Sequence, residues 1–253
     1  TEFNEFVDGL SGFEKYVLDE FPKHTGYLAF SGSSSPTSPG TYINVLDFKG
    51  THSPVLSKDP TGRSVLDPGT KSFTTEFYVY VPSGSTNDCQ VITQKLSGSN
   101  GISHVLSSSA AMTSPNGTVN IQTMIRSGSM MLSASMEINK GEFVHCASVF
   151  DKVSSPGQIR LYRNAELISS STVAAIGEID FKTSPLTIGS GSAHDFGYFE
   201  FVPVETLSGA LDEVRVWNTP RTQDELQKYR FLDVFAQDNL QLLYRFNEPS
   251  GSF

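Results

Sequence analysis

No run of 18 apolar residues occurs in this chain of 253 residues. A helix that crosses a membrane needs about 20 such residues, so no helical span is predicted. Cysteine is scarce, with two residues, Cys89 and Cys146. Both sit in apolar strand-like runs, DCQVITQ and FVHCASV. They are read as two buried free thiols, because a domain this large needs no staple. Positive charge is also short: 18 basic residues face 27 acidic ones, for a net charge of -9. A nucleic-acid partner normally needs a basic face, so none is expected. The same balance disfavours an anionic membrane surface and is compatible with cation binding. The five histidines, at 24, 52, 104, 145 and 194, show no metal-ligand spacing with the cysteines. A Gly-x-Ser-x-Gly elbow and a phosphate loop are both absent from the sequence. The start lacks the order of a secretory signal, and the first residue is Thr1 rather than Met. The chain is therefore expected to be a processed or trimmed product.

What fills the chain is strand signal. FTTEFYVYV (73–81), CQVITQKL (89–96), ISHVLS (102–107), TVNIQTMI (118–125), MMLSASMEI (130–138) and EFVHCASVF (142–150) are β-branched, aromatic or alternating. QIRLYRN (158–164), PLTIGS (185–190), LSGALDEVRVWN (207–218) and NLQLLYRF (239–246) continue the series. Gly, Ser, Asn, Pro and Asp clusters part most of them. Strands at this spacing with almost no helix between them predict an all-β antiparallel sandwich. Two segments differ. FNEFVDGLSGFEKYVLDEF (3–21) has roughly helical apolar spacing, with Phe3, Phe6, Leu10, Phe13 and Val17 on the stripe. It is read as an N-terminal arm over 1–25, packed on its own domain or docked on a neighbouring subunit. Residues 26–41, which contain SGSSSPTSPG, read as a linker, and 42–253 as the sandwich. The second exception follows Pro220. Thr222 with Glu225 forms a capping-box pattern and predicts one short helix, TQDELQKY.

SGALDEVRVWNTPRTQDELQKY (208–229) followed by LQLLYRFNEPSG resembles the C-terminal signature of laminin G-like, concanavalin A-like jelly-roll domains. NVLDFKG (44–50) and SFTTEFYVYV resemble the first two core strands of that family, in the same order. GEFVHCASVFD (141–151) matches its Trp-x-His-Val-Ala strand, with Phe143 in place of Trp. GQIRLYRNAELISSS (157–171) matches its hairpin, with Ala165 in place of Gly. The resemblance covers about 42–250 and implies a two-sheet jelly-roll sandwich. Relatives usually continue past the Gly251 region, so the chain is expected to be cut from something longer. Val214 and Val216 should point to one face of their strand, and Arg215 and Trp217 to the other. Trp217 then serves the core, or a sugar-stacking platform.

In such jelly rolls an Asp opening this strand often holds a structural Ca²⁺ with carbonyls near the first core strand. The resemblance thereby implies a site of Asp212, Asp47, Gly50 and Thr51, against a reading in which Asp212 simply bonds backbone. Ca²⁺ takes 6–8 oxygen ligands, many of them backbone or water. Glucanases of this fold use Glu-x-Asp-x-x-Glu on one strand. Here Glu178 and Asp180 are present, but Lys182 and Thr183 stand where the second Glu must be, so no acid/base pair is expected. His145 and Cys146, as strand neighbours, should face opposite ways and form no catalytic pair. GSAHDFGYFEFVP (191–203) carries His194, Asp195, Phe196, Tyr198 and Phe199. It reads as a ligand- or partner-binding loop, or as a hairpin packed on its own domain.

These readings favour a non-catalytic surface module. Its first form is a structural, decoration or fibre part of a virion or other extracellular assembly, acting through subunit or glycan contacts, with homo-oligomerisation open. Its second is a Ca²⁺-dependent carbohydrate-binding or adhesion module. A glucanase is third, because its key Glu is missing.

Overall fold

The computed structural model describes residues 26–33, 40–45, 66–84, 89–106, 117–154, 156–181, 184–195, 200–232 and 234–247. The arm residues Phe3, Phe6, Leu10, Phe13 and Val17 lie outside them, as do Asp47, Gly50 and Thr51.

Two antiparallel sheets form a jelly-roll sandwich. The seven-stranded sheet runs β1 (Leu28–Ser31), β14 (Ser208–Trp217), β3 (Phe73–Tyr80), β8 (Phe143–Asp151), β9 (Gly157–Arg163) and β10 (Glu166–Val173). Its last member, β15 (Leu240–Tyr244), pairs with β14 beyond the stretch that β1 occupies. The six-stranded sheet runs β2 (Ile43–Val45), β11 (Leu186–Ile188), β4 (Gln90–Ser97), β5 (Asn100–Leu106), β6 (Thr118–Ser127) and β7 (Met130–Asn139). A two-stranded hairpin joins β12 (His194–Asp195) to β13 (Glu200–Phe201). Among the described residues the sole helix is α1 (Gln223–Tyr229). No helix there is long and apolar enough to cross a membrane.

Alternation places Phe73, Phe77 and Val79 of β3, Val144 and Phe150 of β8, and Ile159 and Leu161 of β9 in the space between the sheets. Ile92, Leu106, Ile121, Ile125 and Ile138 meet them from the other sheet. The linker boundary is corrected at one place. Leu28–Ser31, inside the stretch read as linker, pairs with β14, and Phe30 is buried in the core. Four residues, LAFS, were too few to show a period beside so much Ser and Gly.

The seven-stranded sheet is buried on its outer face too, because α1 and the chain after it cover β3, β8 and β14. Thr222 Oγ1 accepts from the Glu225 N–H, and Glu225 Oε2 accepts from the Thr222 N–H at 2.8 Å, closing the capping box. Leu226, fully buried, packs on Ala147, Val149 and Tyr162 of the outer face. It therefore covers a sheet face, not an end of the sandwich. Thr222→Ala should cost about 1 kcal/mol. The measurement is a lower urea midpoint at unchanged slope.

The same cover shuts charges in. Glu76, fully buried on the outer side of β3, lies 3.3 Å from His145 Nε2 and 3.8 Å from Arg215 Nη1. Its other oxygen is 3.7 Å from Arg221 Nε. Arg215 also pairs with Glu213 at 2.8 Å and donates to the Tyr229 carbonyl at the end of α1. Burial pushes the Glu76 carboxyl up. The hydrogen bond and charge of His145, with both guanidinium groups, outweigh this and hold it below the ordinary carboxylate range. Arg221 stacks over Trp217 at 4.1 Å and Tyr229 at 5.0 Å. Val214 and Val216 face the core, while Arg215 and Trp217 face this set, as the strand alternation predicts.

Candidate functional site

Among the described residues, the outer face of the six-stranded sheet is buried over β4 and β5 and open along parts of β6 and β7, and the chain lays one piece of irregular structure across it. Its apolar part is Val91, Val105 and Met124, from β4, β5 and β6. Phe201 of β13 packs onto these three and is itself buried. The hairpin is thus seated by one aromatic ring on three strands. Gln94 fixes the approach to it. Its amide nitrogen donates to Ser103 Oγ at 3.2 Å and to the Ser192 carbonyl at 3.1 Å, and its oxygen accepts from the Ser192 N–H at 2.7 Å.

The opposite strand of the hairpin carries the two residues of the loop that the described structure places. Asp195 is exposed. Its carbonyl accepts from Arg126 Nη1, and its carboxylate lies 3.5 Å from the same nitrogen. His194 is half-buried over Gly101, where a Cβ would lie 3.0 Å from Nε2. Only glycine lets the ring sit this close to the sheet without forcing it to move. Burial first, then the nearby Arg126, holds the His194 imidazole below its usual range. It is neutral at pH 7. Phe196, Tyr198 and Phe199, between the two hairpin strands, lie outside the described residues.

Beside the hairpin lies a polar row that no sequence motif marks. Register places Gln122 opposite Ser135, Asn120 opposite Glu137, Met124 opposite Ser133 and Arg126 opposite Met131. These share the face of Met124, away from the core cluster. Asn120, Gln122 and Ser133 are half-exposed, and Ser135 and Glu137 are exposed. Amides and hydroxyls therefore dominate the open part of the face, with one cation and one anion at its ends. The signal was present in TVNIQTMIRS and MMLSASMEIN, whose outward alternate residues are uncharged except for Arg126 and Glu137.

The Asp212 carboxylate has a local task. The ladder between β14 and β3 slips between Asp212 and Arg215, and Glu213 adopts φ 49°. Asp212, buried, accepts from the freed Glu213 N–H at 2.8 Å. This is the arrangement of a side chain that steadies a bulge. Among the described residues no three His, Cys, Asp or Glu side chains gather as a metal would require.

Neither catalytic pattern assembles there. Ile176–Phe181 is a connection between β10 and β11, held by a bridge of Ile179 to Gly69. Glu178 on it is exposed. His145 faces Glu76 and Cys146 faces the core, where burial pushes its thiol far up. Both cysteines are free, but Cys89 is only half-buried, contrary to its sequence reading. It precedes β4 rather than opening it, with φ 58°.

No curated protein matches the chain. Residues 50–227, more than half of it, match the family model of the concanavalin A-like lectin/glucanases superfamily. The chain belongs to this superfamily. Solved structures similar to this superfamily member include a candidate carbohydrate-binding protein from Bacteroides ovatus. The match has 17% identity and a TM-score of 0.52, and covers 89% of this chain and 53% of that one. The chain thus spans about half the length of that protein. The native heptameric SAP-like pentraxin from Limulus polyphemus is similar at 17% identity and TM-score 0.50, over 81% and 82% of the two chains. At these identities the likeness is one of fold.

Proposed function

We propose that the chain is a non-catalytic glycan-binding module that binds on the outer face of the six-stranded sheet, beside the β12–β13 hairpin. The polar row on β6 and β7 carries this reading. A neutral polyol is best met by amides and hydroxyls that donate and accept, with an apolar surface nearby for the sugar's C–H face. Asn120, Gln122, Ser133 and Ser135 supply the first, and Met131 the second. Arg126 is tied to Asp195, which keeps the hairpin in place at the edge of the row. The description of the Bacteroides ovatus protein as a carbohydrate-binding candidate supports the same class of ligand.

The test is a glycan array with the intact chain, with Ca²⁺ and with chelator, followed by titration of the best glycan. The double variant Gln122→Ala, Ser133→Ala should weaken that glycan about tenfold, because a neutral hydrogen bond contributes about 0.5–1.5 kcal/mol. Near-UV circular dichroism should be unchanged. Binding that ignores both substitutions overturns the placement of the site. Binding lost in chelator would support a cation in the module, with Asp212 as a candidate ligand. An array with no binder would favour the other reading, a structural part of an extracellular or virion assembly that contacts protein.

A further inference from the structure

Between the sheets, toward the end where β14 passes into Asn218, the described residues line a mainly apolar pocket that opens to solvent. Leu66, Phe73, Phe181, Leu186, Val214 and Val216 form most of the wall. Its mouth lies at Ile102, Asn218 and Gln241, all half-exposed. This space is separate from the polar row, which lies on the other side of the six-stranded sheet.

Three polar side chains of the lining, His104, Trp217 and Asn218, each have a buried polar atom without a hydrogen-bond partner, and His104 is the one braced deepest between the sheets. His104 is 2% exposed, and its Nδ1 is 2.8 Å from Thr93 Oγ1. Its Nε2 is buried without a hydrogen-bond partner. A buried nitrogen left without a partner is unfavourable, and a ligand that supplies one gains accordingly. The ring is braced edge-on against Phe77, with centroids 5.7 Å apart. Burial lowers its pKa to about 3, so the imidazole is neutral across the physiological range.

The wall also contains a cation, Lys95, but its charge is answered from within the protein. Its ammonium donates to the Ser184 carbonyl and lies 3.9 Å from the Asp67 carboxylate, both side chains nearly fully buried. The cavity therefore has no unbalanced charge to offer an anion. What it offers is apolar wall, one neutral imidazole nitrogen, and near the mouth the Trp217 N–H and the Asn218 Oδ1.

We propose that this cavity binds a small uncharged apolar molecule bearing a hydroxyl group, an alcohol or a phenol, with the hydroxyl on His104 Nε2. The hydroxyl follows from the tautomer. If Thr93 donates to Nδ1, Nε2 carries the proton and needs an acceptor. If Nδ1 donates to Thr93, Nε2 needs a donor. A hydroxyl serves either case, whereas a carbonyl serves one. The apolar body follows from the wall, whose side chains are mainly apolar and would hold a ligand through apolar contact.

The test uses the intact chain with two probes, 4-propylphenol and propylbenzene, titrated by ligand-observed NMR. The phenol should bind about five- to tenfold more tightly than the hydrocarbon, the ratio expected of one hydrogen bond of about 1 kcal/mol. His104→Leu should remove this preference while the hydrocarbon still binds. Ile102→Trp, at the mouth, should abolish binding of both. Should His104→Leu fail to fold, the ¹⁵N shift of His104 Nε2 in the unsubstituted protein decides. It should move with the phenol and stay fixed with propylbenzene. The proposal is overturned if neither probe binds, as expected of a space filled by water or by the chain itself. It is equally overturned if the phenol binds without moving the His104 resonance.

Discussion

Glu76→Gln is expected to lower the free energy of unfolding by about 3–5 kcal/mol, the range for removing one partner of a buried ion set. The substitution keeps the shape of the side chain and removes its charge. His145, Arg215 and Arg221 would then share a site 2–4% exposed with no carboxylate between them. Arg215 retains Glu213 at 2.8 Å, so the heavier loss falls on Arg221, whose only buried carboxylate is Glu76. Because Arg221 precedes the capped turn of α1, the helix should loosen from the sheet before the sandwich opens. Hydrogen exchange of the α1 amides reports that order, and urea unfolding reports the total. A loss under about 1 kcal/mol would mean that water already reaches these charges and that the cover over β3 is not closed.

Acid should weaken the fold well above the range where its carboxylates titrate. His104 has its pKa lowered from 6.5 to about 3 by burial. The folded state therefore refuses a proton that the unfolded chain accepts below pH 6.5. Stability conferred by the neutral ring is complete above that value and falls as pH drops toward 3. At pH 5 the gap of 1.5 units corresponds to a loss of about 2 kcal/mol relative to pH 7.5. His194, lowered as well but half-exposed, adds in the same direction with solvent screening. Glu76 acts lower. Its pKa is below 4.5 in the folded state, so its contribution is intact above 4.5 and disappears only beneath that. Urea midpoints between pH 7.5 and 5 separate the two, and His104→Leu should flatten most of the slope. A profile unchanged by that variant would place the acid-sensitive group elsewhere.

Much of the scaffold was legible because its signals are local. FTTEFYVYV, EFVHCASVF and the 208–217 strand showed their periods in the chain, and the structure keeps them within a residue or so. The helix announced itself through Thr222 and Glu225, three positions apart. The hidden parts depend on contacts distant in sequence. Glu76 reads as a solvent-facing position of β3 until a helix some 150 residues later covers it. The slip in β14 has no turn residue to mark it, since Glu213 takes φ 49° without glycine. That slip brings the Glu213 N–H to the Asp212 carboxylate, a contact that nothing local in the sequence marks. On the candidate face, His194 and Asp195 were found from the loop's composition, whereas Gln94, Arg126 and the Gln122–Ser135 row were not. Their meaning lies in which face of a strand they occupy, and only the register of β4 to β7 gives it.

The single Trp of the chain is at residue 217, 1% exposed, with a guanidinium 4.1 Å above its ring. The molecule therefore carries one tryptophan reporter, at the joint where α1 meets the seven-stranded sheet. Its emission should be short in wavelength while the helix is docked and shift to the red when water reaches the ring. With excitation selective for tryptophan over the nine tyrosines, a fluorescence trace is a record of this joint. Compared with circular dichroism, which averages over all the strands, it separates undocking of the helix from melting of the sandwich without any label.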